Sequence, residues 1–289
     1  MPLFFKNNRE QSFIKRRLIY LLIVLLRPMK FIKTLLLKIF GEKKYLFFTA
    51  YAYQQLYKTG KVGTLYQDVY FLKNIIKAGD YNVDIGAHLG YYTFELSKLT
   101  GKNGKVIAIE PVAKFNTVIK KLIANNKLTN IDLHKVAIGG KGEFVEIGIP
   151  FISNQKRFGH ARIKEMNNHL DYAETEKVTN IKGDEFFKDI PHLDFIKCDI
   201  EGAEVAAFTS MLTIIEKNKP IILCELGDKE ERIKMYKMLL PLQYYPYILK
   251  NKKLHPLDIS CEENAISFNY YFIPEGKIKS MQHLIDNQN

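Results

Sequence analysis

The sequence predicts a doubly wound α/β domain with a mostly parallel sheet, preceded by a basic helical extension. Three observations carry this: short β-branched runs alternate with helical patterns, the runs are apolar along nearly their whole length, and several end in glycine or a carboxylate. With 289 residues, 47% of them hydrophobic, the chain has material for one sizeable domain and an appendage, and it is too apolar to be disordered.

The extension comes first. Residues 1–44 hold 11 Lys or Arg against 2 Glu, whereas residues 45–289 hold 32 against 29. Most of the formal net charge of +12 therefore sits at the N-terminus. In "KRRLIYLLIVLLRPMKFIKTLLLKIFGEKK" the apolar run Leu18 to Leu26 is nine residues long, about half of the roughly 20 needed to span a bilayer. "RPMK" lacks the small residues of a signal-peptide cleavage site, and a second apolar stretch follows it. The expectation is one or two basic amphipathic helices lying in an anionic membrane interface, the alternative being helices packed on the domain or on a second subunit. The chain is then expected in the cytoplasm, peripheral on the inner face of a membrane.

Residues 45–78 read as a helical lead-in with a break at "TGKVGT". From residue 79 to 289 the α/β pattern takes over. Strands are expected at "YNVDI", "KVIAIE", "IDLHKVAI", "LDFIKCDI" and "PIILCEL", with helices at "YYTFELSKL", "AKFNTVIKKLIANN" and "EVAAFTSMLTIIEK". "EFVEIGIP" and "KVTNIK" read as an antiparallel excursion, and "YYPYILK" and "SFNYYFI" as late aromatic strands. Between them, Ser153 to Thr175 has no period and is expected to be a lid or acceptor loop. Cys198, Cys224 and Cys261 form no CxxC pair, which argues against a zinc site or a disulfide framework and fits a reducing compartment. Cys198 and Cys224 fall in apolar runs and read as buried core.

The first turn, "YNVDIGAHLGYYTF", holds the question of ligand. Ligands of open α/β sheets bind beyond the carboxyl ends of the strands, near the switch in strand order. Gly86 permits a sharp turn and close approach, and Gly90 close packing where the helix begins. Ala87 and His88 stand where a dinucleotide fingerprint would have its second glycine and its neighbour, and the GK[ST] ending of a P-loop is missing. Glu110 ends the second strand 24 residues past Gly86, close to the spacing of about 20 at which a carboxylate accepts ribose hydroxyls. The turn thus suits a nucleoside whose charged end is not a diphosphate, such as S-adenosylmethionine, with Asp84 near its amino acid portion and His88 at its edge. Asp84 as a helix cap and Glu110 as a solvated strand end are the structural alternatives.

"LDFIKCDIEGAEVAAF" places Asp199, Glu201 and Glu204 within six residues. Methylating a hydroxyl requires removal of its proton, a task for a carboxylate base or for a cation that acidifies the alcohol. Hard oxygen ligands of this kind suit magnesium. Acidic residues in a first helical turn also stabilise it against the helix dipole, which is the structural reading of Glu201 and Glu204. His160 reads first as a solvated loop residue, and Tyr91, Tyr92, Tyr244, Tyr245 and Tyr247 as sheet packing.

Together "VDIGAHLGYYT", "VIAIEP", "VAIGGKGE" and "DFIKCDIEGAEVAAF" followed by "KPIILCEL" resemble the FkbM family of S-adenosylmethionine-dependent methyltransferases, over residues 79–226. The resemblance implies a Rossmann-like class I methyltransferase sheet, cofactor contacts at Asp84, Gly86, Ala87, Gly90 and Glu110, and O-methylation of a glycan, glycolipid or related small molecule. Asp199 and Glu201 match the family's acidic strand-end motif and are the expected catalytic residues. Glu225 matches its next acidic strand end, so Asp199 and Glu225 are the candidate magnesium ligands. His88 departs from the family's usual Asn, and "EPVAKF" from "EPNP". Two rivals stand beside this reading: a nucleic-acid methyltransferase, disfavoured by the near balance of charge after residue 44, and a catalytically silent membrane-associated binding protein.

Overall fold

The computed structural model describes residues 30–59, 67–139, 142–257 and 269–286. The run Leu18 to Leu26, residues 60–64 of the expected break and Cys261 lie outside them. Two units are distinguished, residues 1–66 and residues 67–289.

In the first unit, α1 (Lys30–Thr59) is interrupted at Gly41, whose φ of 72° and ψ of 162° leave the helical region. The helix crosses the boundary expected between residues 44 and 45. Gly41 supplies the break because a left-handed φ costs glycine little.

The second unit is built on an eight-stranded sheet. Its parallel part comprises β1 (Tyr81–Ile85), β2 (Lys105–Ile109), β3 (Ile131–His134), and, after an insertion, β9 (Phe195–Cys198) and β10 (Ile221–Glu225). β11 (Tyr244–Lys250), β12 (Lys253–Pro256) and β13 (Asn269–Pro274) complete it in the order β12-β11-β13-β10-β9-β1-β2-β3, with β13 antiparallel to both neighbours. Strand order reverses between β1 and β9, so this pair marks the switch point where such sheets bind ligands.

The insertion is a second, five-stranded sheet. β4 (Ala137–Ile138), β5 (Phe144–Ile152), β6 (Gln155–Lys156), β7 (Arg162–Ile163) and β8 (Tyr172–Ile181) form it, and β5 pairs antiparallel with β8 over most of its length. The expected strand "IDLHKVAI" is therefore two, β3 and β4, in different sheets. Ser153 to Thr175, expected as a loop, contributes β6, β7 and the start of β8 to this small sheet and is otherwise a 3-10 turn at Phe158–His160 and irregular chain.

Side-chain alternation divides the large sheet. Val83, Ile85, Ile196, Cys198, Ile222, Cys224, Tyr270 and Phe272 belong to a buried core with Phe208 of α6 (Glu204–Thr209), Ile214 and Ile215 of α7 (Leu212–Asn218), and Met235 and Leu239 of α8 (Lys229–Leu239). The opposite face mixes apolar residues such as Phe195 and Leu223 with buried polar ones. There α2 (Gln67–Phe71) and α3 (Tyr91–Thr100) contribute groups that satisfy the sheet: Asp68 accepts from Asn269 Nδ2 at 3.0 Å and Tyr271 Oη at 2.9 Å, and Asn82 Nδ2 donates to Thr100 Oγ1 at 2.6 Å. α4 (Ala113–Asn126) and α5 (Gly183–Phe186) complete the α/β alternation.

At the switch point the backbones of the two strand ends nearly touch. Gly86 has φ 83°, and a Cβ there would stand 1.9 Å from the Asp199 carbonyl oxygen and 2.9 Å from Ile200 Cγ2. Backbone cannot swing aside, and a side chain at that φ is strained by about 1–3 kcal/mol before any collision. Gly86→Ala is expected to cost at least about 3 kcal/mol in urea unfolding. A loss below about 1 kcal/mol would mean that the strand ends are farther apart than described.

Candidate active site

Asp84 lies within β1, only 2% exposed, and accepts a 2.5 Å hydrogen bond from Thr93 Oγ1 of α3. It does not cap α3, whose N-cap is Gly90 at φ 83°. Burial pushes its carboxyl up to about 6, against the hydrogen bond from Thr93 and the charge of Lys197.

The turn after β1 spends its amides on the protein. Gly86 and Ala87 N–H groups both donate to the Ile109 carbonyl, at 2.9 and 3.0 Å, and Gly90 N–H donates to Ala87 at 2.7 Å. His88, at φ 49°, donates its N–H to Glu110 Oε2 at 2.6 Å. A diphosphate cradle needs such groups free, so the turn is closed to that chemistry, as the missing glycine predicts. A Cβ at Gly90 would meet the Phe94 ring at 2.4 Å, which accounts for the second glycine by packing.

Glu110 follows β2 and is 4% exposed rather than solvated. Its Oε1 accepts from Val112 N–H at 2.8 Å and its Oε2 from His88. Burial raises its carboxyl to about 8 even though both N–H donors favour the ionised form. Each oxygen keeps an unfilled lone-pair direction, which is the donor-set requirement for receiving two ribose hydroxyls. Beside it the His88 ring meets Phe115 edge-on at 4.5 Å, donates to the Phe158 carbonyl, and leaves Nε2 buried without a partner. Burial lowers His88 to about 4, so the imidazole is neutral. A buried orphan nitrogen next to a carboxylate with spare acceptor capacity fits a nucleoside.

On the other side of the switch point, register brings Asp84, Lys197 and Leu223 side by side on one sheet face, and one step beyond it Asp199 beside Glu225. Lys197 is 1% exposed. Its Nζ donates to the Cys198 carbonyl at 3.2 Å, lies 3.6 Å from Asp199 Oδ2, and sits 5.0 Å from the centre of the Tyr92 ring. Burial opposes its charge, but Asp199 and Glu225 outweigh burial and raise its proton affinity. Glu225 is pushed up to about 7, first by burial and then by the charge of Asp199. The Asp199 side chain remains 35% exposed.

The acidic turn beyond β9 divides by role. Glu204 takes the structural part, accepting from Ile200 N–H at 2.8 Å and Gly202 N–H at 2.9 Å, and burial raises it to about 7. Glu201, at φ 57°, points to the inserted sheet, where Arg162 Nη2 stands 2.5 Å from Oε2 and His160 Nδ1 3.4 Å from Oε1. It ties the insertion to the acidic turn. For magnesium, the donor set does not fit: a buried ammonium stands 3.6 Å from Asp199, and no group of three or more metal-ligating side chains occurs among the described residues.

Sequence reasoning did not single out Lys197, Thr93 or Arg162, and it read Tyr92, which lies on α3 with Lys197 over its ring, as sheet packing. Lys197 carried a usable signal: it is a lone charge in the apolar strand "DFIKCDI", two residues before Asp199 and so on the same face. Arg162 carried none, because its partner is 39 residues away.

Comparison with solved structures finds an FkbM methyltransferase from Methylobacillus flagellatus KT, 19% identical, with a TM-score of 0.48 over 79% of this chain and 53% of that one. This chain spans about half the length of that relative. A precorrin-6y C5,15-methyltransferase from Geobacter metallireducens GS-15 is 13% identical, with a TM-score of 0.41 over 73% of this chain and 87% of that one. A putative methyltransferase from Streptococcus mutans in complex with SAH is 12% identical, with a TM-score of 0.41 over 73% of this chain and 96% of that one. No curated protein matches the chain. Residues 84–249 match the methyltransferase FkbM domain; the match takes in more than half of the chain and every site residue named above, and the chain belongs to the FkbM methyltransferase family.

Proposed function

We propose that this chain methylates a hydroxyl oxygen of a glycan, glycolipid or related small acceptor, with Asp199 receiving the hydroxyl proton. The observation that carries the reading is Asp199 itself. At the switch point Asp84, Glu110 and Glu204 are 2–4% exposed and Glu201 is held by Arg162, whereas Asp199 is both partly open and electrostatically supported by Lys197.

When bound, S-adenosylmethionine supplies an electrophilic methyl group on a sulfonium. Glu110 would hold the ribose hydroxyls with the lone pairs that His88 and Val112 leave free, while Gly86, Ala87, His88 and Gly90 shape the turn and Asp84 braces it through Thr93. Alignment of reacting groups contributes up to about 7–11 kcal/mol, and a positioned base about 10²–10⁴-fold. Positioning is therefore the larger task, and Asp199 finishes it.

The rivals are weaker on the same ground. Residues 45–289 are nearly balanced in charge, which disfavours nucleic acid, and an intact constellation from Asp84 to Glu225 disfavours a silent protein. Residues 1–44 are proposed to rest on an anionic membrane surface. Support comes from exposed Leu35, Ile39 and Phe40 on α1 and from the basic excess, at about 1 kcal/mol per residue near anionic lipid. No described helix is long and apolar enough to cross a membrane.

Calorimetry with S-adenosylhomocysteine is expected to show binding weakened by about 1–3 kcal/mol in Glu110→Ala; unchanged affinity removes Glu110 from the site. Asp199→Asn is expected to lower turnover by on the order of a hundredfold or more with cofactor affinity little changed, and chelators to leave the wild type active. Wild-type turnover in that variant sinks the proposed base. Turnover is expected to rise with pH through about 7 as Glu225 releases its proton, and Glu225→Gln to abolish that step; a step that survives belongs to another group. Full-length protein is expected to sediment with anionic vesicles and Ile39→Glu to sediment less, whereas a chain that stays in the supernatant at every lipid composition has no such contact.

A further inference from the structure

Helix α4 begins three residues after Glu110, yet its own sequence leaves its start uncapped. Val112 stands at the N-cap position with no side-chain acceptor, and the first turn contains no acidic residue. The first N–H groups of a helix have no partner inside it and take acceptors from elsewhere. Here two carboxylates outside the helix supply them. Val112 N–H donates to Glu110 Oε1 at 2.8 Å, and Ala113 N–H donates to Glu176 Oε2 at 3.0 Å. Glu176 lies on β8, 63 residues further along the chain, and its Oε1 stands 2.6 Å from Lys135 Nζ.

The insertion takes hold of the next two residues as well. Glu174, two positions before Glu176 and so on the same side of β8, pairs with Lys114 and also with Lys156 of β6. The Phe115 ring lies 6.4 Å from that of Phe158 and 4.5 Å from that of His88. Ala113, Lys114 and Phe115 are thus held one after another by the inserted sheet. Glu110 is fixed from the same helix end, since Asn116 Nδ2 donates to its carbonyl at 3.2 Å. Its carboxylate therefore takes its position from residues 112–116, and these take theirs from β8.

Resting on the cofactor part of the methyl-transfer reading above, we propose that Glu176 is a positioning residue for the cofactor: from the inserted sheet it caps α4 and so sets the carboxylate of Glu110 against the ribose. Two charges act on Glu110, Asp84 from β1 and Glu176 from β8, and both add to the effect of burial on its proton affinity. A cap that is also a neighbouring charge leaves a signature in pH that a brace alone does not.

The test titrates the full-length chain with S-adenosylhomocysteine in a calorimeter at a series of pH values, the ligand's own titration being common to every variant. Hydrogen bonds from ribose hydroxyls favour the ionised carboxylate, so wild-type binding is expected to strengthen as pH rises through about 8, where Glu110 ionises. Glu176→Ala is expected to weaken binding by about three- to tenfold, the range of a lost helix cap. Glu176→Gln keeps an oxygen for Ala113 N–H but loses the charge. Its affinity above the midpoint is expected to stay near that of the wild type, while the midpoint moves to lower pH. Glu146→Gln, which releases Lys164 in the same insertion, is expected to change neither quantity, and thermal unfolding verifies that each variant is folded. Wild-type affinity in Glu176→Ala, an unmoved midpoint in Glu176→Gln, or an equal loss in Glu176→Ala and Glu146→Gln overturns the inference and leaves the methyl-transfer reading standing. If the wild type itself does not bind S-adenosylhomocysteine at any pH, that reading falls and the inference falls with it.

Discussion

The buried ammonium of Lys197 is the interaction on which the rest of the site depends. Removing an ion from water costs several kcal/mol even after the surroundings relax, so a lysine 1% exposed in a central strand persists only where opposite charge surrounds it. Register provides that charge: Asp84 is its neighbour on β1, and Asp199 and Glu225 stand one step further along β9 and β10. The arrangement is mutual. Without Lys197, three carboxylates would face one another at the edge of an apolar sheet. With it, Asp199 has a partner 3.6 Å away, while Glu225 is raised to about 7 by burial and by Asp199.

The same accounting makes the floor of the site receptive to cations. Asp84, Glu225 and Glu110 have folded values of about 6, 7 and 8, all above the ordinary carboxylate range near 4. A carboxylate raised on folding adds stability that is fully present below its unfolded value and is lost as pH rises through its folded one. As pH rises through these values in turn, the groups are ionised at the expense of the fold. A cation arriving beside them offsets that expense, whereas a diphosphate would add to it. The turn after β1 agrees, since its amides are spent on Ile109 and Glu110. On the proposed reading, this charge suits a sulfonium nucleoside better than one carrying a diphosphate.

The parallel strands β1, β2, β9 and β10 were readable because each carries its own signal, an apolar run leading into a carboxylate or glycine with a helix pattern after it, whereas β12, Lys253–Pro256, carries none. The small sheet was not readable, since Ser153 to Thr175 pairs through main chain over long sequence separations and shows no period. "IDLHKVAI" misled for a related reason, its second half leaving for another sheet with only two paired residues, Ala137 and Ile138. Site residues at strand ends were legible by position. Their reasons were only partly so: Gly86 looks like an opening for a ligand, yet the nearest obstacle to a side chain is the Asp199 carbonyl, a neighbour 113 residues away that no local pattern could reveal. Glu201, grouped by sequence with Asp199, is turned by its left-handed φ toward Arg162 instead.

This division of labour bears on where acceptor choice resides. The parallel sheet and its glycine turn have little freedom, because Gly86 is wedged against one backbone, Gly90 against Phe94, and Lys197 among three carboxylates. The insertion is under a different constraint. Its strands must pair, but its side chains facing the site are tied to the sheet at few points, Phe158 on His88 and Arg162 with His160 on Glu201. Residues between those ties can change without disturbing the turn after β1. On the proposed reading, the methyl donor is held by the part that cannot vary and the acceptor is recognised by the part that can.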